Sequence, residues 1–131
     1  MPVAKEHTLG KTERLKSRKT IEQLFREGKS YAYAPFRVYY LFNDTAVSLQ
    51  FGAGVSTKNF KKAVDRNRIK RLTREAWRLQ KMPLKEVTKE QKRSLSVFLI
   101  YTGKELPVYK DVYEKTGKII DKLCQIVITK K

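Results

Sequence analysis

Residues 59–79 read NFKKAVDRNRIKRLTREAWRL, and this stretch predicts the long amphipathic helix around which the fold is built. At about 100° per residue, its apolar side chains share one stripe roughly 80° wide, with Val64 at the flank. The stripe consists of Ile69, Leu72, Ala76 and Leu79, and the opposite side consists of Arg66, Asn67, Lys70, Arg71, Arg74 and Arg78. Such a helix, about 30 Å long, can hold a core on one side and present cations on the other.

The basic side of this helix suits a phosphate backbone. Guanidinium groups grip phosphate oxygens with two parallel hydrogen bonds, and lysine adds a compact point charge. A run of charge is usually only a solvated surface. Within the helix, however, only Asp65 and Glu75 oppose the positive charges, so like charges repel along its surface. An external anion would relieve this repulsion.

Length and composition limit the classes of protein that fit. A chain of 131 residues predicts one domain, and 30 Lys and Arg against 13 Asp and Glu give a net charge of +17, which favours nucleic acid as the partner. Neither a secretory segment nor an apolar run of about 18 residues is present, so we expect a cytoplasmic protein without membrane contact. Residues 1–13 predict a mobile basic tail, and residues 128–131 a second tail.

The rest of the chain predicts alternating helices and strands. A short helix from Arg18 to Glu27 has Ser17 as a possible cap and Gly28 as a left-handed terminal residue. A strand follows from Phe36 to Phe42. Its alternation places Phe36, Val38, Tyr40 and Phe42 on the core face, and Arg37, Tyr39 and Leu41 on the other face.

The next strand, residues 47–55, is predicted to form an antiparallel hairpin with the first through a turn at Asn43-Asp44. Its Gly52 and Gly54 leave room for a close approach to the backbone, as in a groove. Residues 79–93 predict a loop or a frayed helical extension, and residues 94–101 a central strand. A final amphipathic helix from about residue 108 to about residue 126 is predicted to pack on the sheet, because Val112, Thr116, Ile119, Ile120, Leu123 and Val127 recur at helical spacing.

This αββαβα order predicts an α/β (α+β) two-layer sandwich, in which a mixed sheet is covered by helices and the basic helix lies in the crossover. Candidates for protein-based chemistry are few. His7 stands alone in the tail, and Cys124, the only cysteine, falls on the apolar side of the last helix as a structural thiol. Asp65 and Glu75 are separated by about 15 Å along the helix and cannot share a metal. A protein nuclease is therefore disfavoured.

The segment RNRIKRLTREAWR, residues 66–78, closely resembles the signature RNRxKRxxRE of the protein subunit of bacterial ribonuclease P. The preceding GVSTKNFKKAV, residues 54–64, resembles the strand-to-helix junction of that family, and the resemblance extends over about residues 14–127. It implies a basic cofactor, monomeric within the complex, that assists a catalytic RNA in cleaving the 5′ leader from precursor tRNA. By the same resemblance, the RNA performs the hydrolysis with magnesium ions, and the protein has no catalytic or metal-binding residue.

The resemblance also implies the roles of particular residues. Those expected to contact the catalytic RNA are Arg66, Asn67, Arg68, Lys70, Arg71 and Arg74, extended by Lys58, Lys61 and Lys62. The leader is expected in a cleft with Phe25, Tyr39 and Arg37, where aromatic rings stack bases without reading their sequence. For Phe25, a purely structural role in the core is equally compatible, and for Trp77 packing against a neighbouring element is favoured over base stacking.

Two departures from the family pattern leave questions open. Ile21 stands where many relatives carry an aromatic residue, so stacking is reduced, replaced by apolar contact, or supplied by Tyr31 or Tyr33. Phe60, Lys61 and Lys62 replace a glycine-containing junction, which leaves the backbone geometry at the helix start unassigned. A general RNA-binding or ribosomal-type protein without a processing role is the alternative, because charge alone does not identify a substrate.

Overall fold

The computed structural model describes residues 14–15, 18–43 and 49–129. The order of elements is α1 (Arg18–Glu27), β1 (Lys29–Tyr33), β2 (Phe36–Asn43), β3 (Leu49–Val55), α2 (Ala63–Gln80), α3 (Met82–Glu90), β4 (Ser94–Tyr101) and α4 (Tyr109–Thr129). The predicted tail over residues 1–13 with His7, the cap at Ser17, the turn at Asp44 and the last two lysines lie outside the described residues.

The four strands form one mixed sheet in the order β1-β2-β4-β3. Strand β2 pairs antiparallel with both β1 and β4, whereas β3 pairs parallel with β4. The predicted hairpin between β2 and β3 is therefore wrong, because β4 lies between them. The central position predicted for β4 is confirmed, because it lies between β2 and β3. The basic helix α2 lies in the β3-to-β4 crossover, as predicted.

Helices α2 and α4 pack on one face of the sheet, which we call the helix-covered face. Its strand residues include Phe36, Val38, Phe51, Val97 and Leu99, all at most 2% exposed. The six positions predicted to be buried in α4 are all buried. Helix α1 lies against the opposite face through Phe25. The predicted two-layer α/β class with a mixed sheet is confirmed. No helix in the described ranges has both the length and the apolar content needed to cross a membrane.

Helix α2 turns a different side to the core from the predicted one. Ile69 and Ala76 are buried as expected, but Thr73 and Trp77 are buried beside them, whereas Leu79 is 42% exposed. The Thr73 hydroxyl donates to the Ile69 carbonyl at 2.8 Å, which satisfies this polar group inside the core. The Trp77 ring stacks on Phe51, with centroids 4.2 Å apart and planes 11° apart. The packing role predicted for Trp77 is confirmed.

Four local details differ from the predictions. Strand β1 was not predicted. Of the two alternatives for residues 79–93, a loop or a frayed helical extension, the helical one is closer, because residues 82–90 form the separate helix α3. Pro83 lies in its first turn, where a missing N–H costs nothing. Helix α4 continues to Thr129, so residues 128–129 are helical rather than part of a tail. No described glycine has a positive φ, so Gly28 does not end α1 in a left-handed conformation. A Cβ on Gly28 would instead lie 2.8 Å from the Tyr40 carbonyl oxygen, too close for any larger residue.

Candidate nucleic-acid interface

The face of the sheet opposite α2 and α4, the open face, carries the residues predicted for the leader cleft. Strand pairing aligns Tyr39 with Phe98 and Phe98 with Gly52 in one row across the sheet. The next row joins Arg37, Ile100 and Gly54. Arg37 is exposed and Tyr39 half-buried, while Phe36 and Val38, which alternate with them along the strand, are buried. The alternation predicted along β2 is thus confirmed.

Three aromatic rings meet on the open face beneath α1. Phe25 lies edge-on to Tyr39, with centroids 4.8 Å apart, and edge-on to Phe98, with centroids 5.3 Å apart. Edge-to-face pairs at this spacing are attractive beyond their burial of area. Phe25 is nevertheless 44% exposed, so the same ring fastens α1 to the sheet and faces solvent. Both interpretations of Phe25 are compatible with this geometry.

Arg37 borders this aromatic cluster. Its guanidinium carbon lies 5.9 Å from the centroid of the Tyr39 ring, within the range of a cation–π contact. Its Nη2 also donates to the Ser30 hydroxyl oxygen at 3.2 Å, which links β2 to β1. The open face therefore presents a cation beside an aromatic ring, a combination suited to a nucleotide.

Phe98 is the residue of this face that sequence reasoning missed. Gly52 and Gly54 were predicted to leave space for a close approach, and the ring of Phe98 occupies that space. A Cβ on Gly52 would lie 2.7 Å from Phe98 Cδ2, and one on Gly54 would lie 2.8 Å from Phe98 Cε1. Along β4, Phe98 and Ile100 alternate with Val97 and Leu99, so strand geometry places them on the opposite face. Because all four residues are apolar, the sequence does not show which of them face the core.

Tyr31 and Tyr33 belong to the helix-covered face. Tyr31 pairs with buried Val38 and Tyr33 with Phe36, so both side chains point away from the open face. The Lys122 ammonium lies 5.0 Å from the Tyr31 ring centroid, and burial, reinforced by neighbouring tyrosines, raises the pKa of the Tyr31 hydroxyl. Neither tyrosine can complete the cleft. Ile21, in contrast, lines a cavity on the cleft side.

This cavity, of about 440 Å³, connects the open face to α2. Its lining includes Arg14, Ile21, Gly52, Ala53, Arg74 and Phe98. Residues 14–15 reach it because they lie along the edge of β3, where the Leu15 amide donates to the Phe51 carbonyl at 2.8 Å. The cavity therefore has an aromatic wall and two guanidinium-bearing residues around the same space.

Most of the residues predicted to contact the catalytic RNA are exposed on α2 and the loop before it. Those exposed are Lys58, Lys61, Lys62, Asn67, Arg68, Arg71 and Arg74, whereas Arg66 and Lys70 are half-buried. The pKa of Arg74 is lowered by burial first, and then by the positive charges of Arg14 and Arg71. The like charges of these arginines repel one another, and two of them, Arg14 and Arg74, line the cavity. A bound anion would stabilise the cluster.

Arg66 has a second task that the helix wheel did not reveal. Its Nη1 donates to the Phe60 carbonyl at 2.9 Å and to the Lys61 carbonyl at 2.7 Å, so it fastens the loop before α2. Asn59 fixes the other side of this loop, because its Nδ2 donates to the carbonyl of Thr102 at 3.1 Å. Lys62 is extended, with φ −82° and ψ 128°, and gives the helix start no side-chain cap. The junction that sequence left unassigned is thus held by Arg66 and Asn59.

Charge pairing on α2 is local. The Arg78 Nε donates to Glu75 Oε1 at 2.6 Å, which engages this arginine within its own helix. In the portion of the chain that the structure describes, no three His, Cys, Asp or Glu side chains are grouped as metal ligands.

The fold and this surface define a class of small, basic, mixed-sheet α/β protein with an aromatic cleft beside a cationic helix. The chain belongs to the ribonuclease P protein family, because the sequence model of the family described as Ribonuclease P matches residues 9–124. It is 38% identical over 106 residues to the ribonuclease P protein component of Porphyromonas gingivalis, covering 79% of this chain and 77% of that protein. The Syntrophus aciditrophicus protein component is 34% identical over 119 residues, with 90% and 92% coverage.

Solved structures agree with this assignment. The RNase P protein from Thermotoga maritima superposes with a TM-score of 0.64 at 28% identity, covering 84% of this chain and 96% of that one. A mutant Staphylococcus aureus RNase P protein superposes with a TM-score of 0.71, covering 95% and 98%. At 21% identity, the latter supports the fold alone.

Proposed function

We propose that this chain is the protein cofactor of a ribonuclease P ribonucleoprotein, which binds the catalytic RNA and the 5′ leader of precursor tRNA and promotes removal of the leader. The observation that carries the proposal is the cavity that joins the aromatic open face to Arg74 of the basic helix α2. A single-stranded segment can lie in the cleft while the neighbouring phosphates of a folded RNA meet the helix. Family membership supports the same proposal.

The exposed basic residues of α2 and of the loop before it would bind the backbone of the catalytic RNA. Arg68, Arg71 and Arg74 are exposed along α2, and Lys58, Lys61 and Lys62 extend the charge beyond its first turn. Arg66 would contribute by holding the loop that carries these three lysines. Phosphate contacts fix register and orientation without reading bases, which suits a structural partnership with one large RNA.

The cleft would bind the leader. Phe25 and Tyr39 offer aromatic surface for unpaired bases, and Arg37 beside Tyr39 offers a charge for a phosphate. Stacking is tolerant of sequence, because every base has a π face. A factor that accepts many different leaders requires this tolerance.

The hydrolysis would belong to the RNA. Magnesium ions supply metal-assisted phosphodiester chemistry there, and the described acidic residues of the protein do not form a donor set that fits such an ion. The protein would act as a monomer within the complex, in the cytoplasm where precursor tRNA is processed. Its own task is binding and orientation.

The test is cleavage of a 5′-extended precursor tRNA at low magnesium concentration, with the protein alone, a cognate bacterial catalytic RNA alone, and both together. We expect cleavage at the 5′ end of the mature tRNA only with both. Cleavage by the pure protein would place the chemistry in the protein and contradict the proposal. Failure to stimulate the RNA would favour a general RNA-binding protein.

A further inference from the structure

We infer that Phe98 forms a second stacking position of the cleft, which holds one unpaired nucleotide of the leader with its phosphate facing Arg14 and Arg74. The inference rests on the proposed function, because it requires a single strand in the cleft. It extends that function by assigning a nucleotide to a residue that the sequence motifs do not include.

The first argument is the way in which the Phe98 ring is held. Two successive open-face positions of β3 are glycine, and the ring lies across both, within contact distance of where their Cβ atoms would be. Phe25 meets the ring edge-on with an interplanar angle of 87°. A ring supported by backbone below and an aromatic edge beside it keeps one orientation. Such a fixed surface loses little entropy when a base stacks on it.

The second argument is that the ring remains accessible. Phe98 is only half-buried and lines the cavity of about 440 Å³, whereas Val97 and Leu99 on the same strand are fully buried. The cavity volume falls within the range of pockets that hold small organic ligands. Part of the Phe98 ring is therefore not packed in the core and is available to a ligand.

The third argument is the charge around the same space. Arg14 and Arg74 line the cavity together with Phe98. Their two positive charges repel each other. A nucleotide combines a flat base with an anionic phosphate, so it matches both parts of the lining. Phe98 has no hydrogen-bonding group, so the position would accept any base, with purines favoured by their larger stacking surface.

The test couples the protein side chain to the base that it is proposed to hold. Precursor tRNAs carrying one abasic nucleotide at each leader position in turn are bound to holoenzyme with wild-type protein or with Phe98→Leu, which keeps an apolar side chain. At one leader position, loss of the base should weaken wild-type binding about fivefold to tenfold and leave Phe98→Leu binding unchanged. If loss of the base weakened binding by the same factor in wild-type and Phe98→Leu holoenzyme at every leader position, the inference would be overturned.

Two controls distinguish failure of this inference from failure of the proposed function. Tyr113→Leu makes the same kind of change at a 39% exposed position on α4, and should show the wild-type abasic profile. Mature tRNA without a leader should bind Phe98→Leu and wild-type holoenzyme equally. If wild-type holoenzyme itself bound leader-bearing and leaderless tRNA equally, the proposed function would fail. If only the Phe98 coupling were absent, the stacking position alone would fail.

A measurement on the wild-type chain covers the case in which Phe98→Leu does not fold. An NMR titration with a single-stranded oligoribonucleotide should shift the aromatic proton resonances of Phe98 upfield, because a stacked base places them in its ring current. Titration with an abasic strand of the same length should not. Shifts at Tyr39 without shifts at Phe98 would overturn the inference.

Discussion

The two faces of the sheet use the same strands for opposite purposes. On the helix-covered face, Phe36, Val38 and Leu99 are almost completely buried beneath α2 and α4. On the open face, Tyr39 and Phe98 are the next residues along the same strands and remain partly exposed. Successive residues of a strand point to opposite faces, so a single substitution affects one face and largely spares the other.

This separation teaches that stability and RNA binding can be tested independently in the same small domain. A substitution on the helix-covered face should lower the free energy of unfolding while leaving the folded protein able to bind. A substitution on the open face, or at an exposed position of α2, should weaken RNA binding while leaving the free energy of unfolding nearly unchanged. The following experiments challenge that separation, beginning with the largest expected effect.

Trp77→Ala should destabilise the fold by about 3–5 kcal/mol, because it removes a fully buried ring stacked on Phe51. This is a large share of the roughly 5–15 kcal/mol that holds a domain together. Denaturant unfolding followed by circular dichroism measures it, since the variant has lost the only tryptophan. The matched control is Leu79→Ala on the same helix, which should cost much less. Equal costs would mean that α2 turns its predicted stripe, not its Trp77 side, to the core.

Replacing Arg71 and Arg74 together by Ala should weaken binding of the catalytic RNA at least tenfold at low salt. Each lost phosphate contact should lower the slope of log affinity against log salt concentration by about one unit. Unfolding should be unaffected or slightly harder, since mutual repulsion is relieved. Filter binding across a salt series measures the slope. A slope equal to that of the wild type would remove these arginines from the interface.

Tyr39→Ala should reduce affinity for leader-bearing precursor tRNA by about 1–3 kcal/mol while leaving mature tRNA unaffected. Tyr39→Phe keeps the ring and its contact with Phe25, so it should retain wild-type affinity. Parallel titrations of the reconstituted holoenzyme with the two RNAs provide the comparison. If both RNAs lost affinity equally, Tyr39 would be supporting the assembly rather than the leader.

Periodicity identified which residues share a face, but not which strands are neighbours. The bounds of α1, the buried positions of α4 and the alternation of β2 all follow from local spacing, and all are confirmed. The β2–β3 hairpin was wrong because consecutive strands usually pair, whereas here a more apolar strand from later in the chain takes the centre. Strand β1 was missed because its five residues, KSYAY, contain too little apolar pattern to predict a strand.

The candidate site was predictable in its charge and only partly in its geometry. The basic helix and the position of Tyr39 follow from sequence, because spacing alone determines the side on which a residue lies. The helix wheel could not show that the Arg66 side chain donates hydrogen bonds to backbone carbonyls of the preceding loop. Nor could it show that Trp77 is buried in the core while Leu79 is exposed. Phe98 was hidden within a continuously apolar strand. These features depend on tertiary contacts, which no local period encodes.

The smallest expected effect concerns Cys124, a partly buried residue of α4 that packs against the core. Its reactivity reports how closely α4 packs on the helix-covered face. Burial first, and then the Asp121 carboxylate, raise the pKa of the Cys124 thiol. Less thiolate is therefore present at about pH 8 than in the unfolded chain, and iodoacetamide should alkylate the folded protein more slowly. Because the folded pKa exceeds the unfolded one, this contribution to stability is present below the unfolded pKa and declines as pH rises through the folded value.

Asp121→Asn removes only the electrostatic part of the shift and should accelerate alkylation slightly, whereas unfolding in denaturant should accelerate it fully. The single cysteine makes the readout unambiguous. Folded protein that reacts as fast as the unfolded chain would show that α4 opens readily at Cys124. In that case the contrast between a closed helix-covered face and an accessible open face would not extend to the last helix.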